Sequence, residues 1–258
     1  MKISIITVCY NSEKTISKTI ESVLLQKDVL FEYLIIDGAS KDNTVQIAES
    51  YRQKFMDKGI VYIVKSEKDE GIYDAMNKGV QLATGDIVGI LNSDDRYASD
   101  DILSTVVDTF WKTQTETLYG NLIYVKNGKP YRYWKSGKPR TFRYGWMPPH
   151  PAFFVTKEAY EKYGLYRLDC GVNADYELML RFLEKDHATT CWIDKVFVKM
   201  SAGGISDNGV GSRMQGVIDN KVAWKVNGMK LPFYTVYWKK IRKIPQFVFA
   251  KFVHMEND

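Results

Sequence analysis

Gly85-Asp86-Ile87-Val88-Gly89-Ile90-Leu91-Asn92-Ser93-Asp94-Asp95 is the segment with the clearest signal of how this chain folds. Its apolar run, 87–91, is bounded by glycine and polar residues, which is typical of a buried strand in a parallel sheet. Asp94 and Asp95 follow where this strand ends, and open α/β sheets bind their ligands beyond that end of the strands. The stretch therefore predicts a buried strand that delivers two carboxylates to a binding edge.

The two adjacent carboxylates allow two interpretations. Like charges repel unless a positive group is shared between them, and Mg²⁺ or Mn²⁺ accepts carboxylate ligands while keeping positions for substrate phosphate oxygens. Alternatively, Asp94 caps a helix that begins near Ser99, and Asp95 is merely solvated. The rest of the sequence favours the metal site.

Apolar and amphipathic segments alternate on both sides of this stretch. Strands and helices are predicted in turn at residues 2–8, 16–26, 31–36, 45–55, 60–64 and 72–83. Such alternation is typical of βαβ units, in which right-handed crossovers bring the loops after the strands to one edge. We therefore predict an α/β fold in which Tyr10, Asp37 and the pair Asp94 and Asp95 converge.

The composition is that of a folded protein with one large domain, since 45% of the 258 residues are hydrophobic and 26% are charged. The sequence has no run of 18 apolar residues, so no membrane-spanning helix is predicted, and no signal peptide is recognisable. The three cysteines lack metal-ligand spacing, which predicts reduced thiols in a cytosolic protein. A Rossmann dehydrogenase and a Walker-type ATPase are excluded, because neither glycine-rich phosphate motif is present.

Four stretches, Ile6–Asn11, Ile35–Asp42, Asp69–Gly79 and Leu91–Asp95, carry the most specific signal. In this order and at these spacings they resemble glycosyltransferase family 2, the inverting nucleotide-sugar transferases with a GT-A fold. The resemblance covers residues 1 to about 200 and looks closest to bacterial members that build lipopolysaccharide, capsule or exopolysaccharide. It implies a Rossmann-like, mostly parallel sheet flanked by helices.

The resemblance also implies a donor site for a nucleoside-diphosphate sugar. Asp95 would bind a Mn²⁺ or Mg²⁺ ion that bridges the diphosphate, and Asp94 would contact the ribose or the metal. Asn92 stands where the family often has Asp, a departure at a position that is not a metal ligand. The implied donor-binding residues are Thr7, Tyr10, Asn11, Asp37, Asp74, Asn77, Asn92, Ser93 and Asp94.

Several of these assignments have a structural alternative. Tyr10 either stacks on the nucleotide base or is a half-buried loop aromatic. Asp37 is expected to accept a hydrogen bond from the N–H of uracil, although guanine and thymine also offer such a donor. Asp74 and Asn77 either approach the ribose and diphosphate or belong to a helix start, where Asp74 favours the helix dipole.

Beyond residue 98 the sequence changes character. Alternating segments at 118–125 and 131–134 flank a hairpin turn. The segment Tyr144–Pro151 that follows is aromatic and rich in turns. Its Trp146 and His150 are predicted to bind the acceptor; the alternative is a structural corner whose aromatics pack in the core.

Asn173–Arg181 resembles the family's second signature, an acidic pair followed by a helix that ends in Arg, with Ala174 in place of the first acid. Inverting transfer is a direct displacement, so a carboxylate must lie within hydrogen-bond reach of the attacking hydroxyl. Asp175 is the predicted general base, a role compatible with capping the helix. Arg181 is expected to anchor the helix by an ion pair.

The polar, glycine-rich segment 199–213 has the length and composition of a lid that closes over a donor. Within it, Arg213 is a candidate contact for the diphosphate. Gly203–Gly209 follows no clear strand–helix turn and is a weak candidate for a phosphate cradle.

The net charge of +5 is concentrated at the C-terminal end, where residues 220–258 hold eight of the 36 basic and two of the 31 acidic residues. Aromatic residues interleaved with lysines predict an amphipathic helical tail at an anionic membrane surface, broken or kinked at Pro245. Packing of this segment on the core is a second interpretation. Nucleic-acid binding is not expected, because no recognition motif accompanies the charge.

We therefore predict a GT-A domain at 1–219, with a nucleotide-sugar half at 1–98 and an acceptor half at 99–219, and a membrane-associating tail at 220–258. The predicted activity is metal-dependent, inverting transfer of a hexose or N-acetylhexosamine from a nucleoside-diphosphate sugar, with UDP favoured. The expected acceptor is a lipid-linked saccharide on the cytoplasmic face of the bacterial cell membrane. The alternatives are a non-catalytic nucleotide-sugar-binding scaffold and a nucleotidyltransferase.

Overall fold

The first half of the chain alternates strands and helices in a computed structural model that describes residues 1–201 and 220–250. The elements are β1 (Ile3–Cys9), α1 (Ile16–Leu24), β2 (Phe31–Asp37), α2 (Thr44–Ser50), α3 (Arg52–Asp57), β3 (Val61–Ser66), α4 (Ile72–Leu82) and β4 (Ile87–Ile90). The predicted alternation is confirmed. The helix predicted at 45–55 is split at Tyr51, whose N–H bonds to the carbonyl of Ala48, only three residues back.

The second half adds strands of both directions and short helical turns. Its elements are β5 (Asp95–Tyr97), α5 (Ile102–Thr113), β6 (Thr117–Lys126), β7 (Lys129–Trp134), β8 (Phe153–Thr156), α6 (Lys157–Tyr163), α7 (Ala174–Leu180) and β9 (Thr190–Ser201). Short 3₁₀ helices cover Phe142–Tyr144, His150–Ala152 and Leu168–Asn173, and a π-helical turn covers Arg181–Lys185. The predicted hairpin turn at Asn127-Gly128 is confirmed, since both residues have positive φ.

The nine strands within residues 1–201 form one sheet in the order β3-β2-β1-β4-β8-β6-β9-β5, with β7 paired to β6. Strands β1 to β4 are parallel to one another, whereas β8 runs antiparallel to both β4 and β6. Cys9 pairs with Asp37, and Asp37 pairs with Ser66, so three parallel strands end side by side. This alignment creates the edge at which the predicted site lies.

Side chains of β1 alternate between two core clusters on opposite faces of the sheet. Ile3 and Ile5 belong to the cluster under α1, α3 and α5, whereas Ile6 and Val8 belong to the one under α4, α6 and α7. Every residue of β1 and β2 is buried. Burial on both faces explains why these strands are continuous apolar runs.

The C-terminal segment packs on the domain rather than extending from it. Its described part forms α8 (residues 220–226), α9 (Thr235–Ile241) and α10 (Ile244–Phe249). The indole of Trp224 is fully buried and donates to the Tyr176 hydroxyl at 2.8 Å, and the Asn227 amide donates to Glu177 at 3.0 Å. Trp224 therefore belongs to a core cluster of the domain, and the boundary predicted after residue 219 stays a prediction. The predicted break near Pro245 is confirmed, because Pro245 lies in the first turn of α10.

Helix α9 docks on the Phe142–Tyr144 turn at a glycine. Gly145 has φ of +68°, and a Cβ atom there would lie 2.4 Å from the backbone nitrogen of Lys239. Thr235 Oγ1 donates to the carbonyl of Arg143 at 2.6 Å. A side chain at position 145 would therefore both strain the turn and push α9 away. None of the helices within residues 1–201 and 220–250 is long and apolar enough to cross a membrane.

Candidate functional site

The loops that follow β1, β2 and β4 meet at one edge of the sheet, as the crossover rule predicts. The backbone N–H of Asn11 donates to Ser40 Oγ at 2.8 Å, and Asn11 Oδ1 accepts from the N–H of Lys41 at 2.9 Å. The hydroxyls of Ser12 and Ser93 are hydrogen-bonded at 2.8 Å. Ser12 thus joins two loops and does not cap α1, which begins at Ile16.

Asp37 is buried at this edge, with 1% exposure, and its carboxylate accepts hydrogen bonds from several of the surrounding residues. Its Oδ2 accepts from the N–H of Ser40 at 2.9 Å and from Ser66 Oγ at 2.6 Å, and its Oδ1 accepts from Ser40 Oγ at 2.5 Å and the Cys9 thiol at 3.6 Å. A nucleotide base that bonds to Asp37 has to displace one of these donors. Contact between Asp37 and the base stays a prediction.

Tyr10 and Thr7 lie at different depths of β1 and its loop. The Tyr10 ring is 57% exposed at the edge, where a base can stack on it. Thr7 is fully buried, and its Oγ1 accepts a hydrogen bond from the Tyr33 hydroxyl at 2.9 Å. The predicted donor-binding role does not fit Thr7, because its hydroxyl is committed inside the sheet.

The acidic pair at the end of β4 contains the most unusual polar group of the edge. Asp95 is 1% exposed, and its Oδ2 accepts from Asn92 Nδ2 at 3.3 Å. In the described part of the chain, Asp95 Oδ1 and Asn92 Oδ1 are buried without a hydrogen-bond partner. Burial, together with the neighbouring charge of Asp94, raises the pKa of Asp95 well above its usual value, and burial raises the pKa of Asp94.

This arrangement does not fit the capping interpretation of the acidic pair, and the metal site stays a prediction. Asp94 does not cap a helix, because β5 lies between it and α5. Buried acceptor oxygens beside a second carboxylate are a donor set that fits a hard divalent cation. The described residues contain no group of three or more His, Cys, Asp and Glu side chains placed to hold a metal. Substrate phosphate oxygens would therefore have to complete the coordination, as is usual for Mg²⁺.

Asp74 and Asn77, the predicted donor contacts on α4, already have protein partners. Asp74 Oδ2 accepts from the N–H of Glu70 and lies 3.1 Å from Lys78 Nζ. The Asn77 amide donates to the carbonyl of Tyr166 and accepts from its N–H, both at 2.9 Å. Asn77 thereby fixes Tyr166, and the donor-binding roles of both residues stay predictions.

Asp175 lies in the first turn of α7 and is tied to the donor half through Tyr73. Asp175 Oδ1 accepts from the backbone N–H of Tyr176 at 2.7 Å and lies 3.2 Å from the Tyr73 hydroxyl. Tyr73 lies on α4, and its hydroxyl also donates to the carbonyl of Val172 at 2.8 Å, so its contacts join the two halves of the domain. Six residues further on, Arg181 binds the fully buried Glu177 at 2.8 Å, which confirms the predicted anchoring ion pair.

A cavity of about 380 Å³ opens beside Asp175. Aromatic side chains line it from the domain, and Lys239, Arg242 and Lys243 line it from the C-terminal helices. Trp146 also lines this cavity, although its indole is buried and donates to the carbonyl of Ser136 at 3.0 Å. Trp146 therefore packs in the core and also lines the cavity, and its role in acceptor binding stays a prediction.

His150 is not among the residues that line this cavity. It is buried and hydrogen-bonded to the Tyr166 hydroxyl at 2.8 Å, and burial lowers the pKa of its imidazole. The structure therefore places His150 in a buried polar cluster rather than at an acceptor surface. Arg213, the 203–209 run and most of the predicted lid lie outside the described residues.

Sequence reasoning missed four residues that shape the site: Tyr73, Lys239, Arg242 and Asp69. Asp69 packs so closely on the loop after β2 that a Cβ at Gly38 would lie 2.4 Å from Asp69 Oδ2. The Gly38 position was the only local signal of that close approach. The two basic residues carried no local signal, because they belong to a segment whose composition equally predicts a membrane surface.

Comparison with known proteins gives a consistent result. A family model described as glycosyl transferase family 2 matches residues 4–173. The chain is 31% identical over 191 residues to an uncharacterized glycosyltransferase of Mycobacterium tuberculosis, a match that covers 69% of this chain and 68% of the relative.

Two solved structures show the same fold at low sequence identity. Staphylococcus aureus TarS 1–349 in complex with UDP-GlcNAc superposes with a TM-score of 0.67 at 19% identity, covering 98% of this chain and 73% of that one. The mannosyltransferase PcManGT from Pyrobaculum calidifontis, in complex with GDP-Man and Mn²⁺, gives 0.67 at 16% identity, covering 96% and 73%. The predicted GT-A fold is confirmed.

Proposed function

The chain belongs to glycosyltransferase family 2, and we propose that it transfers a hexose or N-acetylhexosamine from a nucleoside-diphosphate sugar to a lipid-linked saccharide. The observation that carries this proposal is a pair of buried oxygens, of Asn92 and Asp95, that have no hydrogen-bond partner in the described part of the chain and lie at the edge where three parallel strands end. Such oxygens favour a cation, and a cation at this edge favours a diphosphate.

Asp95, with Asp94 beside it, would hold a Mn²⁺ or Mg²⁺ ion. When bound, the ion offsets the negative charge that develops on the leaving diphosphate. The mannosyltransferase of the same fold was solved with Mn²⁺ and a nucleoside-diphosphate sugar. This chain contributes the carboxylates and the exposed Tyr10 ring, which supplies a stacking face for the base.

Asp175 is the proposed general base. The acceptor oxygen attacks the anomeric carbon from the face opposite the diphosphate, and its proton passes to the Asp175 carboxylate. The bond between the anomeric carbon and the diphosphate breaks, and the nucleoside diphosphate leaves with that electron pair. The Tyr73 hydroxyl, 3.2 Å from Asp175 Oδ1, positions the carboxylate for this step.

Release of nucleoside diphosphate from a panel of UDP-, GDP- and dTDP-sugars tests this proposal. With Mn²⁺ present we expect slow hydrolysis of one donor, UDP-linked in our assignment, and loss of that hydrolysis on chelation. Release of pyrophosphate instead would identify a nucleotidyltransferase. Donor binding without turnover, even with lipid-linked saccharide extracts added, would identify a non-catalytic scaffold.

We also propose that the C-terminal helices rest on an anionic bilayer, where the lipid-linked acceptor lies. The C-terminal segment carries large exposed apolar side chains, among them Phe233 at 83% and Ile244 at 65% exposure. Residues 220–250 include seven lysines and arginines and no acidic residue. Apolar side chains beside cations match the interface of a membrane that contains anionic lipids.

Substituting both Phe233→Ser and Ile244→Ser tests the membrane surface without removing the helices that form the cavity. We expect co-sedimentation with phosphatidylglycerol vesicles to fall at least about fivefold, because two apolar side chains no longer enter the interface. The matched control is Leu25→Ser with Leu30→Ser, two exposed leucines in the first half of the chain, which should leave co-sedimentation unchanged. Equal binding by both double variants would contradict the proposal.

A further inference from the structure

The cavity beside Asp175 is lined by five basic side chains and one carboxylate. Two of the bases, Arg132 and Lys135, come from β7 and the segment after it, and three, Lys239, Arg242 and Lys243, come from α9 and its connection to α10. Asp175 is the carboxylate. The lining is therefore strongly cationic at the position where the acceptor must enter.

Three of these bases have uncharged partners at close range. Arg132 Nε donates to Gln246 Oε1 at 2.6 Å, Arg242 Nε donates to the carbonyl of Tyr144 at 2.9 Å, and Lys239 Nζ donates to Asn220 Oδ1 at 3.3 Å. Lys135 differs, since it forms an ion pair with Asp194 at 2.7 Å. The positive charge of the other three is thus available to a ligand.

The bases also repel one another. Burial and the neighbouring Lys243 lower the pKa of Lys239 to about 8, although Asp175 partly offsets this effect. Burial and the neighbouring Arg140 lower the pKa of Arg242. Confined like charges are unfavourable unless a group of opposite sign is shared between them. An anion in the cavity would provide that group.

The cavity lining also contains a carboxylate and apolar side chains. Asp175 and Tyr176 line it from α7, and Pro245 and Phe249 line it from α10. The same helix α10 carries the exposed Ile244 of the proposed membrane surface. The lining therefore offers a carboxylate to a hydroxyl, basic side chains to an anion and apolar side chains to an alkyl chain.

We propose that this cavity binds the acceptor through a phosphate group that lies between the attacked sugar hydroxyl and the lipid chain. Lysine and arginine side chains are the usual protein partners of phosphate oxygens. The inference rests on the proposed transferase function, because it identifies the cavity as the acceptor site. It adds the chemistry by which the acceptor is recognised, a phosphate ester of a lipid.

Calorimetric titration of octyl phosphate into the full chain, with UDP and Mn²⁺ present to fill the donor site, tests this inference. We expect octyl phosphate to bind at least about tenfold more tightly than octyl glucoside, because charge-assisted hydrogen bonds to phosphate are lost with the neutral head group. It should also bind at least about tenfold more tightly than inorganic phosphate, since the alkyl chain adds buried apolar surface.

Variants locate the binding to the cavity. Lys239→Met and Arg242→Gln should each weaken octyl phosphate binding about fivefold or more, as expected for the loss of one charged contact. Lys240→Met removes the same charge from the same helix, but Lys240 does not line the cavity, so its effect should stay within about twofold. Thermal unfolding of each variant shows that it is folded.

Any of three results would overturn the inference. The first is equal affinity for octyl glucoside and octyl phosphate, and the second is affinity for inorganic phosphate as high as for octyl phosphate. The third is an affinity for octyl phosphate that is unchanged in both folded cavity variants. Nucleoside diphosphate release by the same wild-type preparation separates this failure from that of the proposed function. If the protein turns over a donor but its binding of octyl phosphate does not depend on Lys239, only the inference is overturned and the proposed function stands. Phosphate binding by a protein that turns over no donor overturns the proposed function instead.

Discussion

Asp175→Asn is expected to lower the rate of sugar transfer by about 10³-fold, because it removes the carboxylate that accepts the proton of the attacking hydroxyl. Asn has nearly the same shape, and its side-chain oxygen can keep the contact that Asp175 Oδ1 makes with Tyr73. Affinity for the donor should therefore stay unchanged. Turnover with acceptor and calorimetric titration of the donor nucleotide measure the two quantities separately.

Two control variants test whether the lower rate results from loss of the proton acceptor or from a change in the fold. Asp169→Asn, six residues earlier, removes an exposed carboxylate that forms an ion pair with Arg167, and it should leave transfer within about twofold of wild type. Tyr73→Phe should cost about tenfold, since it loosens the carboxylate without removing it. An Asp175→Asn variant with more than about a tenth of wild-type activity would contradict the assigned base.

Asp95→Asn is expected to lower metal-dependent donor turnover by at least about 10²-fold. The same substitution is expected to make the metal-free protein more stable. The variant replaces a buried carboxylate, whose Oδ1 has no partner in the described part of the chain, with a neutral amide of the same shape. Removal of a buried, unpaired charge should raise the free energy of unfolding by roughly 1–3 kcal/mol.

Turnover in Mn²⁺ and thermal unfolding in chelator measure these opposite effects on one preparation. Asp100→Asn serves as the control, because Asp100 is an exposed carboxylate on the same loop system, paired with Lys27. It should change neither quantity measurably. A metal-free Asp95→Asn protein that is less stable than wild type, or one that keeps its Mn²⁺-dependent turnover, would refute the metal site.

The donor half could be predicted because its signals are local. The apolar runs of β1, β2 and β4 are continuous, since both faces of these strands are buried. Crossover handedness then places the loops after the strands at one edge, where Asn11 meets Ser40 and Ser12 meets Ser93. Nothing beyond alternation and handedness is needed to bring Asp94 and Asp95 to that edge.

Individual side-chain partners could not be predicted in the same way. Asn77 fits a donor contact and a structural clamp equally well by residue type, and only the path of the chain near Tyr166 selects the clamp. Thr7 is polar but faces Tyr33 inside the sheet. His150 has the residue type of an acceptor contact, yet its neighbours bury it against the Tyr166 hydroxyl. These partners are distant in sequence, so no local pattern reports them.

The C-terminal segment shows the largest difference between sequence and structure. Its interleaved aromatics and lysines predict an interfacial tail, but Trp224 packs under Tyr176 and α9 docks against Gly145. The same composition serves both packing and exposure, because α9 and α10 have one face on the domain and another facing outward. The cavity has a cationic lining because this segment docks on the domain, and the sequence alone does not predict that docking.

Calorimetric titration of UDP into the wild-type chain, with Mn²⁺ present and after chelation, tests most directly whether the edge at Asp95 is a metal-assisted donor site. We expect binding in Mn²⁺ that weakens at least about tenfold on chelation and is equally weak in Asp95→Asn at any metal concentration. UDP binding of the same strength after chelation, or in Asp95→Asn with Mn²⁺, would contradict the proposed site.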